Sequence, residues 1–194
     1  MAALLAVAPA AWFVLPVAPA DGPRPWRDGA VRFYDDTGTE RTVPTAAARW
    51  NASGADVSLV EVDSRAAADV VLTVDDRRLR ADCGRDCLGF ASNIGRPDDG
   101  PVEVLLSGTL GSDARPLSVW VAAHELGHVL GLEHHGGRAC SVMSSHAFNT
   151  RCAPSAAAEA ASLDQLACVP APADVANAVG IYGGEPRRQD PRCR

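Results

Sequence analysis

The sequence predicts an α+β domain built on a mixed twisted sheet, with one long apolar helix and a C-terminal helix. Three observations carry this. Short β-branched or alternating runs recur between Ala30 and Leu106. A strongly apolar helical stretch spans Arg115 to Leu130. A last helical stretch, Ala173 to Ile181, follows Pro170 and Pro172. The 194 residues suffice for one domain with a sizeable core and would cramp two.

In chain order, Ala30 to Tyr34 (AVRFY) reads as a first strand and Asp35-Asp36-Thr37-Gly38 as a turn. Pro44 to Asn51 favours helix, with Thr42 or Thr45 as its cap. Val57 to Val62 alternates as a half-buried strand does, and Ala68 to Val74 is a continuous apolar run that suits a buried strand. Arg77, Arg78 and Arg80 read as a solvated turn. Cys83 to Cys87 is a loop. Leu88 to Ile94 and Val102 to Leu106 are two further strands, separated by Gly95 to Gly100. The helix of Arg115 to Leu130 has Asp113 or Ser112 as cap and Pro116 in its first turn, and Gly131 ends it. Ala156 to Ala167 also reads helical. No internal repeat appears.

Ala2 to Ala20 carries no charge and closes on Ala18-Pro19-Ala20, an A-x-A-like cleavage signal. Residues 1–20 are therefore read as a secretory signal peptide and residues 21–194 as one catalytic domain. Pro9, Pro16 and Pro19 break the segment too often for a spanning helix, so no stable membrane insertion is expected after its removal. The formal net charge of −6 and the scattered arginines argue against a nucleic-acid partner. Six cysteines behind a leader imply disulfides, with 15 connectivities open. Closeness in sequence favours Cys83–Cys87, Cys140–Cys152 and Cys168–Cys193.

The chemistry concentrates in residues 124–134, HELGHVLGLEH. His124 and His128 are four apart on a helix and so project from one face, one turn apart. Two imidazoles so placed can share one metal ion at about 2.0–2.1 Å. Glu125 sits beside the first ligand without coordinating, where it can take a proton from metal-activated water. Gly131 can adopt the left-handed conformation that ends a helix and turns the chain back, which brings His134 in as third ligand. Three protein ligands leave a fourth position open, the catalytic rather than the structural pattern of zinc. Chance produces these five residues at this spacing on the order of once in a hundred thousand chains of this composition.

Met143 follows in Cys140-Ser141-Val142-Met143-Ser144. HExxHxxGxxH with a later methionine turn resembles the metzincin clan of metallopeptidases. The wording HELGHVLGLEH, the short domain and Ile181-Tyr182-Gly183 are most similar to the matrixin family. The specific likeness covers residues 124 to 143. It implies a secreted zinc endopeptidase with one catalytic zinc on His124, His128 and His134, Glu125 as general base, and Met143 forming a hydrophobic floor under the metal. It also implies an edge strand, matched by about Leu88 to Ile94, that pairs with substrate backbone. The partner is then a protein or peptide substrate, and the chain is expected to act as a monomer.

The sequence departs from relatives of that clan in several places. Ser145 stands two residues after Met143, where some members carry a metal-reaching tyrosine. All five histidines lie from residue 124 to 146, so the upstream histidines of a second, structural zinc are absent, and calcium is not indicated. His135 follows the third ligand where archaemetzincin-like proteins place a cysteine. The inhibitory cysteine motif of matrixins is missing from the N-terminal region; Pro191-Arg192-Cys193 echoes it at the other end. His135 and His146 read as exposed, Phe148 falls where the family builds part of its pocket, and Trp120 reads as core. The alternative from another class is a catalytically silent binding protein on the same scaffold, against which Glu125 argues.

Overall fold

The computed structural model describes residues 23–111, 116–134, 141–144 and 169–187. The signal-peptide reading, the caps Ser112 and Asp113, His135, His146, Phe148, the Ala156 to Ala167 helix and the Cys140–Cys152 and Cys168–Cys193 pairings fall outside those residues.

Five strands, β1 (Ala30–Asp36), β2 (Ser58–Glu61), β3 (Val70–Val74), β4 (Gly89–Ala91) and β5 (Val102–Leu106), form one sheet in the order β2-β1-β3-β5-β4. The first four in that order are mutually parallel, and β4 runs antiparallel along β5, with Gly89 opposite Leu106 and Ala91 opposite Val104. Four helices accompany it among the described residues: α1 (Thr42–Asn51), α2 (Asp76–Asp82), α3 (Pro116–Val129) and α4 (Pro172–Tyr182). The architecture is α+β with a mixed sheet, as the sequence implies.

Strand alternation decides which side chains meet α1 and α3. Val31, Phe33, Val70, Leu72, Val102, Val104 and Leu106 point into one cluster with both helices. Val71 and Leu105 alternate to the other face and are equally buried, as is Leu79 of α2. Trp50 of α1 is 1% exposed and its indole N–H donates to the Ala123 carbonyl of α3 at 2.8 Å. Burying 150–250 Å² of indole is worth roughly 4–6 kcal/mol, and the N–H is not left orphaned in the process.

Four local expectations need correction. β1 continues through Asp36, and the turn starts at Thr37, whose amide and hydroxyl both bond the Asp35 carboxylate. The α1 helix begins at Thr42 with Arg41 at the cap position and no side-chain cap, so neither Thr42 nor Thr45 caps it. The arginine-rich stretch is a helix rather than a turn. Asp75 caps it by accepting from the Arg77 and Arg78 amides, Leu79 fills the core side, and Arg78 reaches Glu103 at 2.6 Å. Strand β4 is also shorter than Leu88 to Ile94; only Gly89 to Ala91 make the ladder. The Cys83–Cys87 disulfide is present immediately before it.

Candidate metal centre

Helix α3 runs through the middle of the molecule, and from Val121 to Leu130 every residue is buried. A helix so enclosed must find partners for its last carbonyls. The Trp26 indole donates to the Val129 carbonyl at 2.8 Å, the Tyr182 hydroxyl to Leu130 at 3.1 Å, and the Gly95 amide to His128 at 2.8 Å. Gly131 then takes φ +89°. Its amide bonds the His128 carbonyl at 2.8 Å and the Leu132 amide bonds Gly127 at 2.9 Å. That pair of bonds is a Schellman ending, and it reverses the chain in the way the sequence requires of Gly131.

The reversal brings His134 back to the helix. Its Nε2 lies 3.1 Å from Nε2 of His124 and 3.1 Å from Nε2 of His128. The three rings offer one nitrogen each, all within 4.8 Å of one another. His124 and His128 are buried and His134 is exposed, so the cluster opens on one side.

The other ring nitrogens fix the tautomers. His124 Nδ1 lies 2.6 Å from the Val142 carbonyl, and His128 Nδ1 lies 2.7 Å from the Leu132 carbonyl. A carbonyl only accepts, so each Nδ1 carries the proton and each Nε2 presents a lone pair inward. Burial pushes the His124 imidazole down to about 3 and the His128 imidazole down to about 4, with neighbouring histidines adding to both effects. The rings are neutral, converging Lewis bases. Two ligands at about 2.05 Å around a tetrahedral ion stand about 3.3 Å apart, close to the spacing found here. The donor set fits a metal ion, and three imidazole nitrogens suit zinc.

Glu125 is 4% exposed, and its carboxyl is pushed up to about 8 by burial. The backbone amide of Ala91 in β4 opposes that shift. Trp120, read as core from sequence, is half-buried, packs against the core cluster, and stacks on His124 with ring centroids 5.4 Å apart.

Met143 is fully buried in a short turn. Its thioether lies against Gly127, one residue before His128, where an added Cβ would meet Met143 Sδ and come within 3.2 Å of Met143 Cε. The turn is held by a residue the sequence reading missed. Asp174, in the first turn of α4 and 0% exposed, accepts from the Val142 amide at 2.8 Å, the Ala171 amide at 2.9 Å and the Ser141 hydroxyl. Asp174 thus holds the same peptide segment whose Val142 carbonyl orients His124. Gly89, Gly127 and Asp174 carried no sequence signal beyond residue size or an acid near a helix start.

Comparison with known protein families and with curated proteins finds no match for this chain. Fold and site together define an α+β domain whose three clustered histidines could hold a metal ion.

Proposed function

We propose that this chain is a secreted zinc-dependent endopeptidase of the metzincin type, most similar to matrixins. The observation that carries the reading is the convergence of His124, His128 and His134 through Nε2, two of them locked by backbone carbonyls, on the helix that also bears Glu125. A purely structural zinc site closes all four positions with protein ligands, whereas three histidines leave one for substrate or water.

Zinc bound there supplies Lewis acidity, acidifying water and polarising a carbonyl oxygen. The chain's own residues supply the rest. The Glu125 carboxylate takes a proton from the water that attacks the scissile carbonyl, and passes it to the amine nitrogen as the C–N bond breaks. The exposed edge of β4 offers backbone groups to an extended peptide, giving affinity with little demand on sequence. The Cys83–Cys87 disulfide belongs to the chemistry of an oxidising compartment and supports secretion. Among the described residues no helix is long and apolar enough to cross a membrane.

The test is hydrolysis of a quenched fluorogenic peptide library by the purified chain, with and without a zinc chelator, beside Glu125→Ala. Cleavage that falls on chelation, returns with zinc and is lost in the variant supports the reading. An intact sample with one zinc per chain and no cleavage refutes it in favour of a silent binding scaffold.

A further inference from the structure

Strand β4 meets the site at one point, and the contact is unusually close. Gly89 lies outside the positive-φ glycines, so its backbone needs no special freedom. What it lacks is room. A Cβ added there would lie 2.8 Å from Glu125 Cγ and 2.9 Å from Glu125 Cδ, and closer still to Oε1. Ordinary carbon contacts are about 3.5–4.0 Å.

Neither backbone can retreat. Behind β4, Gly89, Phe90 and Ala91 are paired with Leu106, Leu105 and Val104 of β5, and the Ser107 amide bonds the Leu88 carbonyl at 2.9 Å. The Cys83–Cys87 disulfide closes the loop that leads into the strand. On the other side, Glu125 sits on α3 between Ala123 and Leu126, both 0% exposed. The Glu125 side chain is therefore the part that must yield to a methyl group, and yielding moves its carboxylate away from β4.

We propose that Gly89 is a positioning residue: its missing side chain lets edge strand β4 close on the Glu125 side chain and hold the carboxylate beside the histidine cluster. This rests on Glu125 being the base of the proposed reaction. A misplacement of about 1 Å at a reacting group costs about 100-fold in rate, so the effect falls on turnover rather than on substrate binding.

The experiment uses the zinc-loaded, ¹⁵N-labelled full chain and its Gly89→Ala, Glu125→Ala and doubly substituted forms. The Ala91 amide resonance, which senses that carboxylate, should shift in Glu125→Ala, and in the same direction in Gly89→Ala. With peptide substrate, Gly89→Ala should lower kcat by about 10- to 100-fold while KM stays within about two-fold and zinc content is unchanged. In the Glu125→Ala background, Gly89→Ala should cost no further activity. The double Gly89→Ala/Glu125→Ala form, in which the clash is gone, should melt like Glu125→Ala alone. An unmoved Ala91 amide, a wild-type kcat in Gly89→Ala, or a double form that melts well below Glu125→Ala overturns the assignment. If the wild-type chain cleaves no peptide, the peptidase reading fails by itself, and the amide shift and melting comparison still decide the role of Gly89.

Discussion

Replacing Asp174 tests whether the metal site is held from outside its own motif. Asp174→Ala removes the acceptor of three hydrogen bonds, from the Val142 amide, the Ala171 amide and the Ser141 hydroxyl, at a position with 0% exposure. A buried donor left without a partner costs about 1–3 kcal/mol, and two of the three are backbone amides that cannot rotate away. Allowing one group to find water in the new cavity, the loss is about 4 kcal/mol. For a domain of this size that lowers Tm by roughly 8–16 °C. Asp174→Asn should cost about half as much. Its carbonyl oxygen can still accept from Val142 and Ala171, and its amide can donate to the Ser141 hydroxyl. The site should feel the change too, because the loosened segment carries the carbonyl that orients His124; loss of such a partner typically weakens metal affinity 10- to 100-fold. Thermal melts followed by circular dichroism, with zinc competition against a chromophoric chelator, read both effects. An Asp174→Ala protein that melts within 2 °C of wild type and holds zinc equally well would refute the reasoning; the window is that of about 1 kcal/mol.

Three further outcomes follow from the same geometry. Gly131→Ala forces a side chain into φ +89° with its Cβ 3.3 Å from Pro23 Cβ; it should cost about 1–2 kcal/mol and weaken zinc binding by displacing His134, and unchanged affinity in a competition titration would contradict the role of the turn. Removing zinc should lower Tm, because the ion binds the folded chain: zinc at 100 times its Kd contributes about 2.7 kcal/mol, or roughly 5–10 °C, and a melt indifferent to chelator would argue that the histidines hold no metal. The chelated protein should also show a stability maximum near pH 6.5. Below that pH the unfolded chain protonates its histidines, at about 6.5, while folded His124 and His128 stay neutral to about 3 and 4, so stability falls with falling pH. Opposing this, folded Glu125 holds its proton to about 8 and the unfolded carboxyl only to about 4.3, so stability falls as pH rises from there to 8. Each proton contributes about 1.4 kcal/mol per pH unit, and two histidines outweigh one carboxyl on the acid side. A denaturant series from pH 4.5 to 8.5 that rises monotonically would contradict this assignment of buried groups.

The elements that were legible in the sequence are those whose reason lies within a few residues. α3 announces itself by an apolar run, Pro116 at its start and Gly131 at its end, and the metal spacing is a consequence of helical pitch alone. α2 was misread because its seven residues carry three arginines and only Leu79 faces inward, too little for a periodic signal. Its cap, Asp75, was a usable start mark. The strand order β2-β1-β3-β5-β4 was not legible, since parallel pairing depends on crossovers that local pattern does not encode. β4 is shorter than the apolar run because its pairing with β5 closes on the Ser92 amide's bond to the Glu103 carbonyl at 2.8 Å, an end that apolar content does not mark.

The site divides in the same way, and the division has a mechanical consequence. His128 is oriented by the carbonyl of Leu132, four residues on, within the Schellman turn itself. His124 is oriented by Val142, 18 residues away, and that peptide is held by Asp174 another 32 residues on. An aspartate in the first turn of a helix ordinarily serves the helix dipole at the surface; only the fold turns Asp174 inward onto Ser141 and Val142. Gly89 and Gly127 are similar cases, because what makes glycine necessary is the side chain opposite, Glu125 in one case and Met143 in the other. The ligand set is therefore a local property of residues 124–134, whereas its rigidity is not. Loosening α4 should free His124 while leaving His128 in place, so the site should fail first on the side its own motif does not secure.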